Sequence, residues 1–303
     1  MKKIDIFAHI LTPEYYQKML KIAPDIPKQY PFIQIKTLVD LQSRLTQWSD
    51  PDVKQVLSFA NINAEDYVDP DQAANLCQAA NQELDVIVEE HPDKFEAGVG
   101  MLAMNNVDAS CSLLEEVAKS KNLIGAQIFT RHLGKSIADP SFEPVLAKAT
   151  ELNLPLWLHP VFDHRKPDNN LVFSWEYELS QAMLQLVQAD VFKKYPNLKI
   201  IVHHTGAMVP FFAGRIDHIL DAEHAADFKK FYVDTAILGN PAALKLALDY
   251  YGTDHVLFGT DAPFAVMPSG ATKLIEQAID EAYNKEDQDK VYYQNFQSIT
   301  SKD

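Results

Sequence analysis

Apolar residues in this chain fall into short unbroken runs, and between the runs they recur every three or four positions. The runs are Ile4–Leu11, Lys54–Ala60, Phe95–Met101, Gly125–Phe129, Leu154–His159, Lys199–His204, Phe231–Thr235 and His255–Asp261. Runs of this kind suit strands covered on both faces, as in a parallel sheet flanked by helices. Helical spacing predicts helices over Asp71–Glu90, Val107–Lys119, Ser141–Asn153, Trp175–Lys194, Val209–His224, Pro241–Tyr250 and Ala271–Tyr283, with a last one over Glu286–Ile299. Eight strands alternating with helices predict an α/β fold of the TIM (β/α)8 barrel type. An open doubly wound sheet fits less well, because no glycine-rich dinucleotide turn follows the first strand.

The alternation is delayed once. Residues Thr12 to Asp52 contain Pro13, Pro24, Pro27, Pro31 and Pro51, which prevent a single long helix. A structureless loop of that length is uncommon in a compact domain, so 12–52 is expected to be a small insertion over the barrel mouth. No linker composition appears elsewhere. The 303 residues are therefore read as one domain, 1–303, since such barrels take about 250 residues plus insertions.

Composition narrows the partners. The formal charge of −15 repels phosphate backbones, and no basic run interleaved with aromatics offsets it, so nucleic acid is not expected. No apolar stretch reaches the roughly 18 residues of a membrane span, and Asp5 and His9 interrupt the apolar start, so a cytoplasmic protein without membrane contact is expected. Cys77 and Cys111 lie in predicted helices without Cys-x-x-Cys spacing and are expected to be reduced, structural thiols.

Candidate chemistry gathers at the carboxyl ends of the strands, where a barrel of this type carries its site. His9, His159, His204 and Asp261 end the first, fifth, sixth and eighth runs. One imidazole on an apolar strand is ordinary core. Four polar strand ends converging on one volume are a site, and neutral imidazole with carboxylate suits zinc or a similar divalent ion. In the first strand the period of two puts Asp5, Phe7 and His9 on one side. The sequence has no Gly-x-Ser-x-Gly elbow for acyl chemistry. His132, His164, His218 and His224 are expected in solvent, and Asp163, His164 and Arg165 in a loop after the fifth strand.

The segments MKKIDIFAHIL, LWLHP, FKKYPNLKIIVHHTGAMVPFFAGRI and VLFGTDAPF together resemble the amidohydrolase superfamily. The similarity is to the branch containing aminocarboxymuconate semialdehyde decarboxylase and the resorcylate decarboxylases, and it runs from the first strand to the eighth. It implies a metal-dependent barrel that most often catalyses non-oxidative decarboxylation. It further implies His9, His159 and Asp261 as metal ligands, and His204 and Asp261 as catalytic groups. His204 rather than His203 matches the catalytic His of the family, since it stands six residues before Pro210 as the family's does before its own Pro, which would turn His203 into the barrel wall. Trp175 and Arg215 match substrate-side positions, and in the relatives the latter reaches a neighbouring subunit, which implies a homodimer. The first ligand of the family is replaced by Phe7, which offers no lone pair, and no Lys ends the fourth strand. One metal ion or none is therefore expected, Zn2+ by its donors, with Mn2+ or Fe2+ also compatible.

Three functions follow. The first is a carboxy-lyase for a small aromatic or dienoic carboxylic acid, with Phe7, Trp175 and Phe264 as apolar walls. The second is a metal-dependent hydrolase of a lactone or amide, using the same residues. The third is a binding or sensory barrel in which Phe7 has ended catalysis.

Overall fold

The structure is a computed structural model that describes residues 2–48, 50–161, 170–264 and 271–301. Eight parallel strands follow one another around a barrel in chain order: β1 (Lys3–Ile10), β2 (Val53–Phe59), β3 (Phe95–Gly100), β4 (Leu123–Phe129), β5 (Leu156–His159), β6 (Ile200–Val202), β7 (Tyr232–Asp234) and β8 (Val256–Leu257). The seam between the last strand and the first is joined by Ile6 N–H to Phe258 O at 2.8 Å, Asp261 N–H to Phe7 O at 2.8 Å and His9 N–H to Ala262 O at 2.6 Å. The barrel anticipated from the apolar runs is the one observed.

Alternation along the strands separates an inner from an outer core. Ile4, Ile6, Val56, Val99, Trp157, Ile201 and Leu257 pack together inside the barrel. Ala8, Ile10, Leu57, Leu156, Ile200 and Val202 pack outward with the helices. Trp157 fills the inside with no exposed surface, its indole N–H donating to Ile6 O at 3.0 Å. A register shift between Asp5 and Ala8 breaks the alternation in β1. Asp5 therefore does not share the face of Phe7 and His9, contrary to the simple period of two.

Between β1 and β2 lie short helices, among them α1 (Pro13–Ile22) and α2 (Leu41–Thr46). Pro13 opens α1, and Asp40 caps α2 by accepting from Ser43 N–H at 2.9 Å. After β2 come α3 (Pro70–Glu90), α4 (Val107–Lys119), α5 (Glu143–Glu151), α6 (Ser174–Gln188), α7 (Ala213–Ile219), α8 (Pro241–Tyr251) and α9 (Thr272–Ala282). The helix expected over Val209–His224 is interrupted, because Asp221 is extended and caps a new helix at Ala222 by accepting from Glu223 and His224 N–H. The one expected to run to Lys194 ends at Gln188, with Asp190 left-handed at φ 57°. Cys77 and Cys111 are free. Among the described residues no helix is long and apolar enough to cross a membrane.

Arg44 of α2 ties this segment to the barrel. It is buried, donating to His9 O at 2.6 Å, to Gln55 Oε1 at 2.6 Å and to Thr37 O at 3.3 Å. Gln55 in turn donates to Asp5 Oδ2 at 3.4 Å, and Thr260 holds Asp5 through its N–H at 3.0 Å and hydroxyl at 2.6 Å. Burial lifts the Asp5 carboxyl to about 7 against the pull of these donors and of Arg44. Removing the guanidinium leaves the buried His9 carbonyl and the Gln55 side-chain oxygen without their charged donor and takes a positive charge from the neighbourhood of Asp5. Arg44→Met is therefore expected to lose about 3–5 kcal/mol of stability, read from the chemical denaturation midpoint. An unchanged midpoint would remove the network from the fold's support.

Candidate active site

The carboxyl ends of the strands open into a cleft of about 610 Å³, lined by Phe32, Trp175, Leu238 and Phe264 on its apolar side and by His159, Glu176, His204 and Asp261 on its polar side. Phe32 belongs to the segment between β1 and β2, and its ring meets that of Phe264 at 5.5 Å.

His9 ends β1 with no exposure, its ring 5.0 Å from that of His159 at the end of β5. The Ser58 hydroxyl donates to Ala8 O at 3.5 Å and so accepts from His9 Nδ1–H at 3.2 Å. That leaves the His9 Nε2 lone pair buried, without a hydrogen bond among the described residues, 3.1 Å from Asp261 Oδ1. His159 donates from Nδ1 to Pro160 O at 2.7 Å, which also frees Nε2. Burial, then the neighbouring imidazoles of His9 and His203, keep His159 well below the usual histidine range, so it is neutral. Asp261 stands in the left-handed region at φ 59°, with its N–H on Phe7 O. Aspartate tolerates that conformation better than most residues.

These three side chains suit a divalent ion in donor chemistry and in the partners that orient them. A lone pair facing a carboxylate in a buried place is relieved by a cation between them. The spacing is looser: among the described residues no three His, Cys, Asp or Glu side chains form a group that would grip an ion as they stand. Phe7 lies among these side chains. Fully buried, its ring contacts four imidazoles, with centroids 4.6 Å from His9, 5.5 Å from His159, 3.4 Å from His203 and 5.9 Å from His204. It does not line the cleft wall among the described residues.

The two histidines after β6 differ from expectation. Ile201 faces inward, so alternation carries His203 inward as well. It stacks on Phe7 at 13° and donates from Nδ1 to Asp234 Oδ2 at 2.6 Å, rather than turning into the wall. Its Nε2 is buried without a hydrogen bond among the described residues. His204 reaches the cleft because the chain leaves the strand there: His204, Thr205 and Ala207 each have φ 56° and Gly206 φ 72°. A side chain at Gly206 would strike the Tyr251 hydroxyl. Asp234 secures this turn by accepting from His204 N–H at 2.9 Å.

His204 Nδ1 pairs with Glu176 Oε1 at 2.8 Å. Burial opposes the imidazolium, but Glu176, with Asp261 and Asp234 behind it, outweighs burial and raises His204 to about 9. It is therefore charged at neutral pH. Burial raises Asp234 to about 6 against the pull of His204 and of backbone N–H donors. The Trp175 ring lies over His204 at 6.5 Å and 23°.

Other sequence expectations separate. Arg215 is exposed on α7, outside the cleft lining among the described residues. His218 is exposed, and His224 is bound by Asp221 and Asp190. His132 is buried, not in solvent: its Nδ1 is 2.5 Å from Glu65 Oε1 and its Nε2 accepts from Phe129 N–H at 3.1 Å. Asp163, His164 and Arg165 lie outside the described residues. Sequence reasoning missed Glu176 and Asp234. Asp234 had a visible signal, an acid inside the apolar run FYVDT, whereas Glu176 had none beyond its place beside Trp175.

Known proteins share this architecture. The amidohydrolase family model matches residues 37–295. The 2-amino-3-carboxymuconate-6-semialdehyde decarboxylase of Dictyostelium discoideum is 29% identical over 75% of this chain and 70% of its own. The gamma-resorcylate decarboxylase of Polaromonas sp. strain JS666 is 26% identical, with 98% of each chain covered. The crystal structure of 5-carboxyvanillate decarboxylase from Sphingomonas paucimobilis superposes with a TM-score of 0.85 at 21% identity, covering 99% of this chain and 98% of that one. With a family model spanning most of its length, the chain belongs to the amidohydrolase family.

Proposed function

We propose that this chain is a metal-dependent carboxy-lyase that removes carbon dioxide from a small aromatic or dienoic carboxylic acid. The observation that carries the reading is the cleft itself, in which aromatic walls from Phe32, Trp175 and Phe264 end on the His204 imidazolium and the Asp261 carboxylate. A planar acid fits between such walls, and its oxygens meet a charged donor. The relatives named above are decarboxylases, which supports the same class of reaction.

His9, His159 and Asp261 would hold the divalent ion. When bound, it would supply positive charge beside the carboxylate or an adjacent oxygen of the substrate. Zinc suits two imidazoles and a carboxylate, while manganese is bound in the related dihydroxybenzoic acid decarboxylase structure from Polaromonas sp. strain JS666. His204 orients the substrate through Nε2–H and offsets negative charge as the reaction proceeds. The Asp261 carboxylate first takes a proton from solvent; the bond to the carboxylate carbon then breaks, carbon dioxide leaves, and the electron pair left on the substrate carbon takes that proton from Asp261. The net change is one proton taken up and one carbon dioxide released. Phe7 supports this floor from below through its imidazole contacts. Trp175 holds one face of the substrate. Exposed Phe173, Phe211 and Ile219 support a homodimer in which Arg215 reaches the partner's cleft.

The test is a panel of aromatic and dienoic acids incubated with the purified protein, followed by mass spectrometry of the products. The expected product is lighter by one carbon dioxide. A product heavier by one water would convert the reading to a hydrolase, and no product from any acid would favour a binding protein.

A further inference from the structure

The mechanism above uses His204 and Asp261 and leaves Glu176 without a task. Glu176 sits in the first turn of α6 beside Trp175, and its carboxylate lines the same cleft. Its Oε1 lies 2.8 Å from His204 Nδ1, and its side chain is 27% exposed against 9% for His204. The ring of His204 is thus fixed from several sides. Asp234 holds its backbone N–H, Trp175 lies over its face, and Glu176 takes its inner nitrogen. Nε2 is the ring nitrogen left for the cleft.

We propose that Glu176 is a positioning residue that keeps the proton on His204 Nδ1 and so holds Nε2 toward the substrate in one fixed orientation. The proposal rests on the carboxy-lyase reading. A neutral imidazole has one proton for two nitrogens, and its free tautomer depends on what the other nitrogen meets. A carboxylate acceptor at hydrogen-bond distance removes that freedom, as the buried acid does for histidine in a catalytic triad. The charged and titratable groups around His204 come from five elements. Glu176 is on α6, Asp234 on β7, Asp261 after β8, and His159 and His203 at the ends of β5 and β6. Among the acids of the described residues, Glu176 is the one that hydrogen-bonds the ring. Asp234 meets the backbone of His204 and the ring of His203. The place of Glu176 at the edge of the cleft also makes it replaceable without opening the core.

Two measurements test this on the full-length protein loaded with its metal. In steady-state kinetics with an accepted acid, Glu176→Gln is expected to lower kcat by about 100-fold with KM changed by less than about threefold, and Glu176→Asp to recover part of the loss. In histidine-edited nitrogen NMR at pH 7, which needs no substrate, the wild type is expected to show a slowly exchanging proton on His204 Nδ1 that Glu176→Ala loses. Unchanged kcat in Glu176→Gln overturns the proposal. So does a wild-type spectrum with no such proton, or a fall in activity matched by lost thermal stability and not recovered by Asp. If no acid is turned over, the carboxy-lyase reading fails, and the NMR result alone decides whether Glu176 positions His204.

Discussion

Asp261→Asn is expected to lower turnover by about 1000-fold or more while leaving the melting temperature nearly unchanged. Asparagine has the shape of aspartate and tolerates the left-handed backbone at φ 59°. The N–H of residue 261 still reaches Phe7 O at 2.8 Å, so the seam between the last strand and the first survives. What disappears is the proton carrier and the negative charge 3.1 Å from His9 Nε2. A positioned acid contributes about 10²–10⁴-fold, and losing a ligand's charge as well places the effect at the upper end. The rate is read from carbon dioxide release and the fold from circular dichroism melting. Activity within about tenfold of wild type would take proton delivery away from Asp261.

The second large effect concerns metal content. Protein purified without added metal and without a polyhistidine tag is expected to carry about one equivalent of divalent ion by elemental analysis, and His159→Ala to carry essentially none. His159 is neutral at working pH because burial and the imidazoles of His9 and His203 hold it far below its ordinary range. Its Nε2 therefore needs no deprotonation before it coordinates. Its other nitrogen is already oriented by Pro160 O, the arrangement common behind metal-bound histidines. Since alanine also leaves a gap beside Phe7, His159→Gln serves as a control that keeps the volume. If neither the wild type nor the variants take up zinc or manganese on soaking, Phe7 has closed the site. The binding-protein reading then replaces the enzyme.

The barrel was legible because its signal is local and repeated. Apolar runs too short for helices, spaced by helical stretches, allow few other folds, and each run reappears as a strand. The strand ends carrying His9, His159 and Asp261 were legible for the same reason, since a polar residue that closes an apolar run has one place to go. The histidine pair after β6 was harder. Period two from Ile201 points His203 inward, while the left-handed backbone at residues 204–207 turns His204 to the cleft, and no residue-by-residue pattern announces four such angles in succession. The shift in β1 that separates Asp5 from Phe7 was equally silent. So was the burial of His132, which depends on Glu65, a residue 67 positions away.

The sequence by itself determined the barrel and the strand ends that carry His9, His159 and Asp261, with an apolar Phe7 before the first of them. These depend on periodicity and residue identity, which are properties of the chain alone. Tertiary structure decided which side chains touch: Phe7 among four imidazoles, Glu176 on His204, Asp234 between His203 and the backbone of His204. Those contacts join residues far apart in the chain, and the protonation of each imidazole depends on burial and charges that exist only once the barrel has closed.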